Sequence, residues 1–135
     1  MSGNTARTSP ALDAWHAYVA SRDPARLHAL LAEDAVFHSP VVHTPQRGRP
    51  IVEKYLIGAM HVLGNASFRY EREIVGETEA MLEFVTEIDG IVIDGVDIIR
   101  WNADGLVTDF KVMVRPLKAM QVVHQKMAEM LQRPG

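Results

Sequence analysis

Asp97 is the residue whose setting most invites chemistry. It stands in the stretch I-D-G-V-D-I-I-R-W-N (Ile93–Asn102), beside Val96, Ile98 and Ile99. Read as a strand, this segment puts Asp97 on one face with Ile91, Ile93, Ile99 and Trp101, and Asp94, Val96, Ile98 and Arg100 on the other. The first set is the more apolar, so the spacing assigns Asp97 to the interior. Burial disfavours the charged form and moves a carboxyl pKa upward. A neutral acid in apolar surroundings can donate to a developing oxyanion. The alternative is a structural aspartate bonded to Trp15, Tyr18 or a backbone N–H.

The six histidines are the other candidates. His43 follows Pro40 on a loop, where functional residues often lie, and is taken with Asp97 as a candidate catalytic residue. His38 alternates with Phe37 and Ser39 and is expected to face outward. His61 is placed at the pocket beside Tyr55. His16, His28 and His124 read as helix-surface or packing residues. The chain has no HxH or HExxH spacing and no cysteine, so neither a metal site, a thiol nucleophile nor a disulfide is expected. No cofactor is implied.

These residues need elements to hold them. Ser9 caps a helix over Pro10–Ser21, with Leu12, Trp15, Tyr18 and Val19 at helical spacing. Asp23-Pro24 opens a second helix, expected to end near Glu33-Asp34. A short strand over Ala35–Ser39 stops at Pro40, and a loop with Pro45, Gly48 and Pro50 follows. Ile51–Leu63 reads as a third helix. Period-two alternation then predicts strands around Phe68–Ile74, Leu82–Ile88, Ile91–Asn102 and Leu106–Arg115, with turns at Asp89-Gly90 and Ala103-Asp104-Gly105. Phe68, Tyr70, Leu82, Phe84, Phe110, Val112 and Val114 share the expected inner parity. Val85, Arg100, Val107, Lys111, Met113 and Arg115 are expected on the outer face. Leu117–Leu131 is an amphipathic helix rich in methionine.

Helices followed by a run of strands define an α+β class, with helices covering one face of a curved antiparallel sheet. A length of 135 residues argues for one domain: a flexible tail over 1–9 and a single domain over 10–135. The net charge of −3 and the lack of a basic run exclude an electrostatic case for nucleic acid. No apolar run reaches the ~18 residues of a membrane span, and no signal peptide is evident. A cytoplasmic protein is expected.

Three segments together resemble the nuclear transport factor 2-like superfamily, and within it the SnoaL-like proteins. They are A-L-L-A-E-D-A-V-F-H-S-P (Ala29–Pro40), R-G-R-P-I-V-E-K-Y (Arg47–Tyr55) and V-D-I-I-R-W-N-A-D-G-L-V-T-D-F (Val96–Phe110). The resemblance covers residues 10 to 116 and implies a cone-shaped α+β barrel of the cystatin-like kind, here with an extra C-terminal helix. The superfamily holds ketosteroid isomerases, limonene epoxide hydrolases, scytalone dehydratases, polyketide cyclases and non-catalytic binding modules, so function must be argued from residues. Of the ketosteroid isomerase roles, Asp97 matches the protonated aspartate. Ser39 falls where the carboxylate base stands, and Trp15 where the oxyanion tyrosine stands. The second acid of the epoxide hydrolase pattern falls at Val112.

The resulting expectation is a pocket for a small apolar molecule, lined by Trp15, Tyr18, Ser39, Tyr55, His61, Phe84, Trp101, Phe110 and Val112. Asp97 would serve a cofactor-free isomerase, cyclase or dehydratase as acid or base. The alternative is a non-catalytic ligand-binding or dimerisation module. The mixed outer sheet face is the expected homodimer surface.

Overall fold

The computed structural model describes residues 9–132 of the chain. Of the tail expected over 1–9, residues 1–8 lie outside them, and Ser9 belongs to the fold as a buried helix cap. The elements run α1 (Pro10–Ser21), α2 (Pro24–Leu30), β1 (Leu31–His38), β2 (Gln46–Arg47), α3 (Arg49–Leu63), β3 (Arg69–Val75), β4 (Glu79–Ile88), β5 (Ile91–Trp101), β6 (Val107–Arg115) and α4 (Leu117–Leu131). The six strands form an open mixed sheet in the order β2-β1-β6-β5-β4-β3. β3 to β6 are the expected antiparallel meander, but β1 joins β6 in parallel, so the sheet is not wholly antiparallel. No helix among the described residues is long and apolar enough to cross a membrane.

Local chemistry sets most boundaries. The Ser9 hydroxyl accepts from the amides of Ala11 and Leu12, and the Asp23 carboxylate accepts from Ala25. Arg22 ends α1 in the left-handed region (φ 59°) and donates its guanidinium to Met60 O (3.2 Å) and Gly64 O (2.6 Å). One side chain thus ties the end of α1 to two carbonyls at the end of α3. Asp89 and Gly90, both at positive φ, close a two-residue turn between the paired Ile88 and Ile91.

Four features depart from the sequence expectation. α2 stops at Leu30, three to four residues early, because Leu31 turns extended and pairs with Val107. Sheet pairing overrides the helical character of L-A-E-D. The short β2 lies in the segment read as loop and pairs with Val36 and Phe37. A bulge between Tyr70 and Arg72 reverses the faces of β3, so Ile74 turns out and is 59% exposed. A second bulge between Arg100 and Trp101 carries Val107 inward, where it is buried, not on the outer face.

The inner sheet face and the helices enclose the core. Gly95 matters there: it pairs with Phe84 across β4–β5, and a Cβ at this position would overlap the Phe84 ring. Gly95→Ala should therefore displace Phe84 and cost about 1–3 kcal/mol, as overpacking does, measured by urea unfolding. A loss under a few tenths would show that the ring has room.

Candidate active site

Asp97 lies in the middle of β5, between Leu82 of β4 and Val112 of β6. Both neighbours are buried, and so is Asp97, at 6% exposure. The inner parity assigned from sequence is the observed one. Tyr70 sits on β3 just before the bulge and donates its hydroxyl to Asp97 Oδ2 at 2.8 Å. Trp15 on α1 donates its indole N–H to the Tyr70 oxygen at 2.9 Å.

An indole N–H can only donate, so the Tyr70 oxygen accepts from Trp15. The Tyr70 hydroxyl is directed at Asp97 Oδ2, and an ionised Asp97 can only accept that bond. Among the described residues, Tyr70 supplies the one hydrogen bond to this carboxyl.

Burial pushes the Asp97 pKa up to about 7, and the Tyr70 hydrogen bond opposes that rise. Burial also raises Tyr70 well above the usual phenol range, with the Asp97 charge adding to the effect. Glu73 contributes to the Tyr70 shift as well, and pairs with His16 at 3.1 Å. The His16 ring in turn meets Tyr70 edge-on at 5.5 Å.

A cavity of about 20 Å³ adjoins Asp97, walled by Trp15, Phe84, Phe110 and Val112, with Leu56, Ala59, Met60 and Leu63 of α3 and Phe68 closing it. Asp97 is its one titratable wall residue. Such a volume holds about one water molecule. Aromatic contacts stiffen the wall: Trp15 to Phe110 at 4.7 Å, Phe68 to Phe84 at 5.4 Å and Phe68 to Tyr70 at 5.2 Å.

Four of the nine expected pocket residues, Trp15, Phe84, Phe110 and Val112, line this space with Asp97. The others lie elsewhere. Tyr18 is buried against Trp15 at 5.5 Å, and the Tyr55 ring meets Phe37 at 5.5 Å, tilted by 38°. Trp101 is buried near the end of β5, and His61 is exposed. Ser39 and His43 line a separate cavity of about 450 Å³ beyond the end of β1. Its hydroxyl gives Ser39 a local role, accepting from the amides of Val41 and Val42. Among the described residues, no group of three or more His, Asp or Glu is arranged to hold a metal ion.

Tyr70 is the residue that sequence reasoning placed inside but did not assign to the site. Its inner parity was the available signal. Its bond to Asp97 depends on packing across β3, β4 and β5.

The comparisons agree with this architecture. The chain belongs to the SnoaL-like domain family, which matches residues 12–110. A Pseudomonas aeruginosa structure described as a steroid delta-isomerase is 34% identical, with TM-score 0.85, covering 92% of this chain and 96% of that one. An uncharacterised protein from Silicibacter pomeroyi with a cystatin-like fold is 32% identical, with TM-score 0.83, covering 90% and 85%. A Catenulispora acidiphila protein with a ketosteroid isomerase-like fold, bound to trimethylamine, shares the fold at 17% identity and TM-score 0.58 over 78% and 85%. No curated protein matches the sequence.

The raised Asp97 pKa makes a stability prediction. The folded state favours the protonated carboxyl, so its contribution is full below the unfolded value of ~3.9 and is lost as pH rises through about 7. Relative to Asp97→Asn, the wild type should lose about 4 kcal/mol between pH 4 and 8, at about 1.36 kcal/mol per unit. Tyr70→Phe should move the upper end of this window to higher pH, because the hydrogen bond that lowers the Asp97 pKa is gone. Denaturant midpoints at several pH values decide it: parallel curves for wild type and Asp97→Asn would exclude a raised pKa.

Proposed function

We propose that this chain is a cofactor-free enzyme of the isomerase, cyclase or dehydratase type, acting on a small apolar carbonyl compound, with Asp97 as its acid. The observation that carries the reading is the buried Asp97, hydrogen-bonded to Tyr70, which in turn accepts from Trp15. A neutral carboxyl would donate from Oδ1 to the substrate oxygen as negative charge develops there. Tyr70, donating to Oδ2, would stabilise the carboxylate if the proton passed across. Trp15 would hold Tyr70 in that orientation and is a positioning residue. The 34% identical protein described as a steroid delta-isomerase supports the isomerase type.

The test uses an unsaturated steroid ketone and a panel of smaller cyclic ketones and β-hydroxy ketones, followed by NMR in deuterated water. Turnover should fall about 100-fold in Asp97→Asn, the scale of a lost oxyanion donor. For the wild type, kcat/KM should fall as pH rises through about 7. Binding of the panel without any turnover would sink the enzyme reading. It would leave the second one, a non-catalytic ligand-binding or dimerisation module.

We further infer a homodimer through the outer sheet face. Ile74 (59% exposed) and Met81 (43%) pair across β3–β4 there, and Val96 lies on the same face. Ion pairs Arg72–Glu83 and Arg115–Asp94 flank this apolar patch. Two copies related by a two-fold axis could bury it against itself. Light scattering should give twice the chain mass of 15.0 kDa, returning to the single-chain value in Met81→Glu. A single-chain mass for the wild type would rule the dimer out.

A further inference from the structure

The walls of the space at Asp97 are not all held alike. Phe84, Asp97 and Phe110 each have strand partners on both sides, and Val112 has one. Leu56, Met60 and Leu63 are buried on α3, and Trp15 is buried on α1. Phe68 is the exception. It is half-buried, precedes the first residue of β3 and has no place in the sheet register. The other half-buried wall residue, Ala59, offers only a methyl group.

A turn holds the Phe68 main chain instead. Its amide donates to Asn65 O at 3.0 Å. Two side chains of the turn latch it to the end of β4. Asn65 Nδ2 donates to Glu87 O at 2.9 Å, and Ser67 Oγ accepts from the Glu87 amide at 2.9 Å. Asn65, Ser67 and Glu87 are all exposed, and solvent-exposed bonds of this kind open most readily in a fold. The end of α3 is fixed more firmly: Arg22 donates to Gly64 O at 2.6 Å, and the buried Thr86 hydroxyl donates to Leu63 O at 2.9 Å. The Phe68 ring supplies the apolar half of the hold. It stacks on Phe84 at 5.4 Å, with 24° between the planes, and meets Tyr70 edge-on at 5.2 Å.

We propose that Phe68 is the door to the space at Asp97 and sets the size of molecule that enters. The turn swings outward from Asn65, the ring leaves Phe84, and a flat apolar molecule stacks on Phe84 in its place. Met60, an adaptable side chain, then fits itself to the guest. The door stands on the wall and the turn alone. That the guest also meets the acid of Asp97 rests on the function proposed above.

Trp15 lines the same space and reports on entry. In a Trp101→Phe background it is the chain's one tryptophan, so acrylamide quenching of its fluorescence measures access. Phe68→Leu and Asn65→Ala should each raise the quenching constant about fivefold at unchanged circular dichroism, the population change of one lost ring contact or hydrogen bond. Leu56→Ala, which enlarges the space from α3, should leave the constant unchanged. The ligand probes are cyclohexanone and 1-tetralone, with affinities from NMR titration. Phe68→Leu should favour 1-tetralone over cyclohexanone by about tenfold more than the wild type does, the scale of a methylene-sized change in an apolar pocket. Failure of either variant to raise quenching, or an equal rise in Leu56→Ala, overturns the door. A rise in quenching with no gain for 1-tetralone, or with no ketone bound, removes the size role. If quenching and ketone preference both respond but Asp97→Asn leaves both affinities unchanged, the door stands and the function given to Asp97 falls. If Asp97→Asn weakens both ketones and the Phe68 and Asn65 variants change nothing, that function stands and the door falls.

Discussion

The hydrogen bond from Tyr70 to Asp97 is the contact on which the interior depends. An ionised carboxylate between Leu82 and Val112 would carry a desolvation cost of several kcal/mol with only one hydrogen bond to offset it. The fold meets this by favouring the neutral acid and giving one of its oxygens a committed donor. That donor in turn accepts from Trp15, whose indole N–H can only donate. Two hydrogen bonds thereby tie α1, β3 and β5 together. The bulge directly after Tyr70 belongs to the same solution. It lets β3 present a tyrosine inward and then return Ile74 and Arg72 to the outer face.

Much of this was readable in the residues. Serine, aspartate and proline at helix starts, and the Asp89-Gly90 turn, act through short-range chemistry, so α1 and α4 were located to the residue. The alternation in β5 was clean enough to send Asp97 inward. What escaped has a common cause. The end of α2, the strand β2, the two bulges and the Tyr70–Asp97 bond are set by partners distant in sequence. Val107 shows the mechanism: simple alternation sends it out, and one extra residue opposite β5 brings it in. Ser39 is grouped with Asp97 by the family resemblance, and Tyr55 and His61 by their expected place on the third helix. Their own loop and helix contacts put them elsewhere. Gly95 gave no signal at all, since the space it leaves is needed only by a ring on the next strand.

The space at Asp97 and the cavity at His43 are separate: the first has the acid but no room, and the second has room but no acid. A ligand that used Asp97 would therefore have to open the smaller space itself.

That rearrangement is constrained from both sides. Burial raises the Asp97 pKa, so widening the cavity by admitting solvent would lower it again. Yet about 20 Å³ must grow several-fold to take even a small ketone, and close-packed interiors resist that. An apolar ligand satisfies both demands. It replaces the contacts of Leu56, Met60 and Val112 with contacts of its own, and it brings no water to Asp97. Met60, unbranched and adaptable, is the wall residue best suited to yield. A polar ligand would carry its hydration into the site and ionise the group meant to receive it. The dryness that raises the pKa is thus also a filter on what can enter.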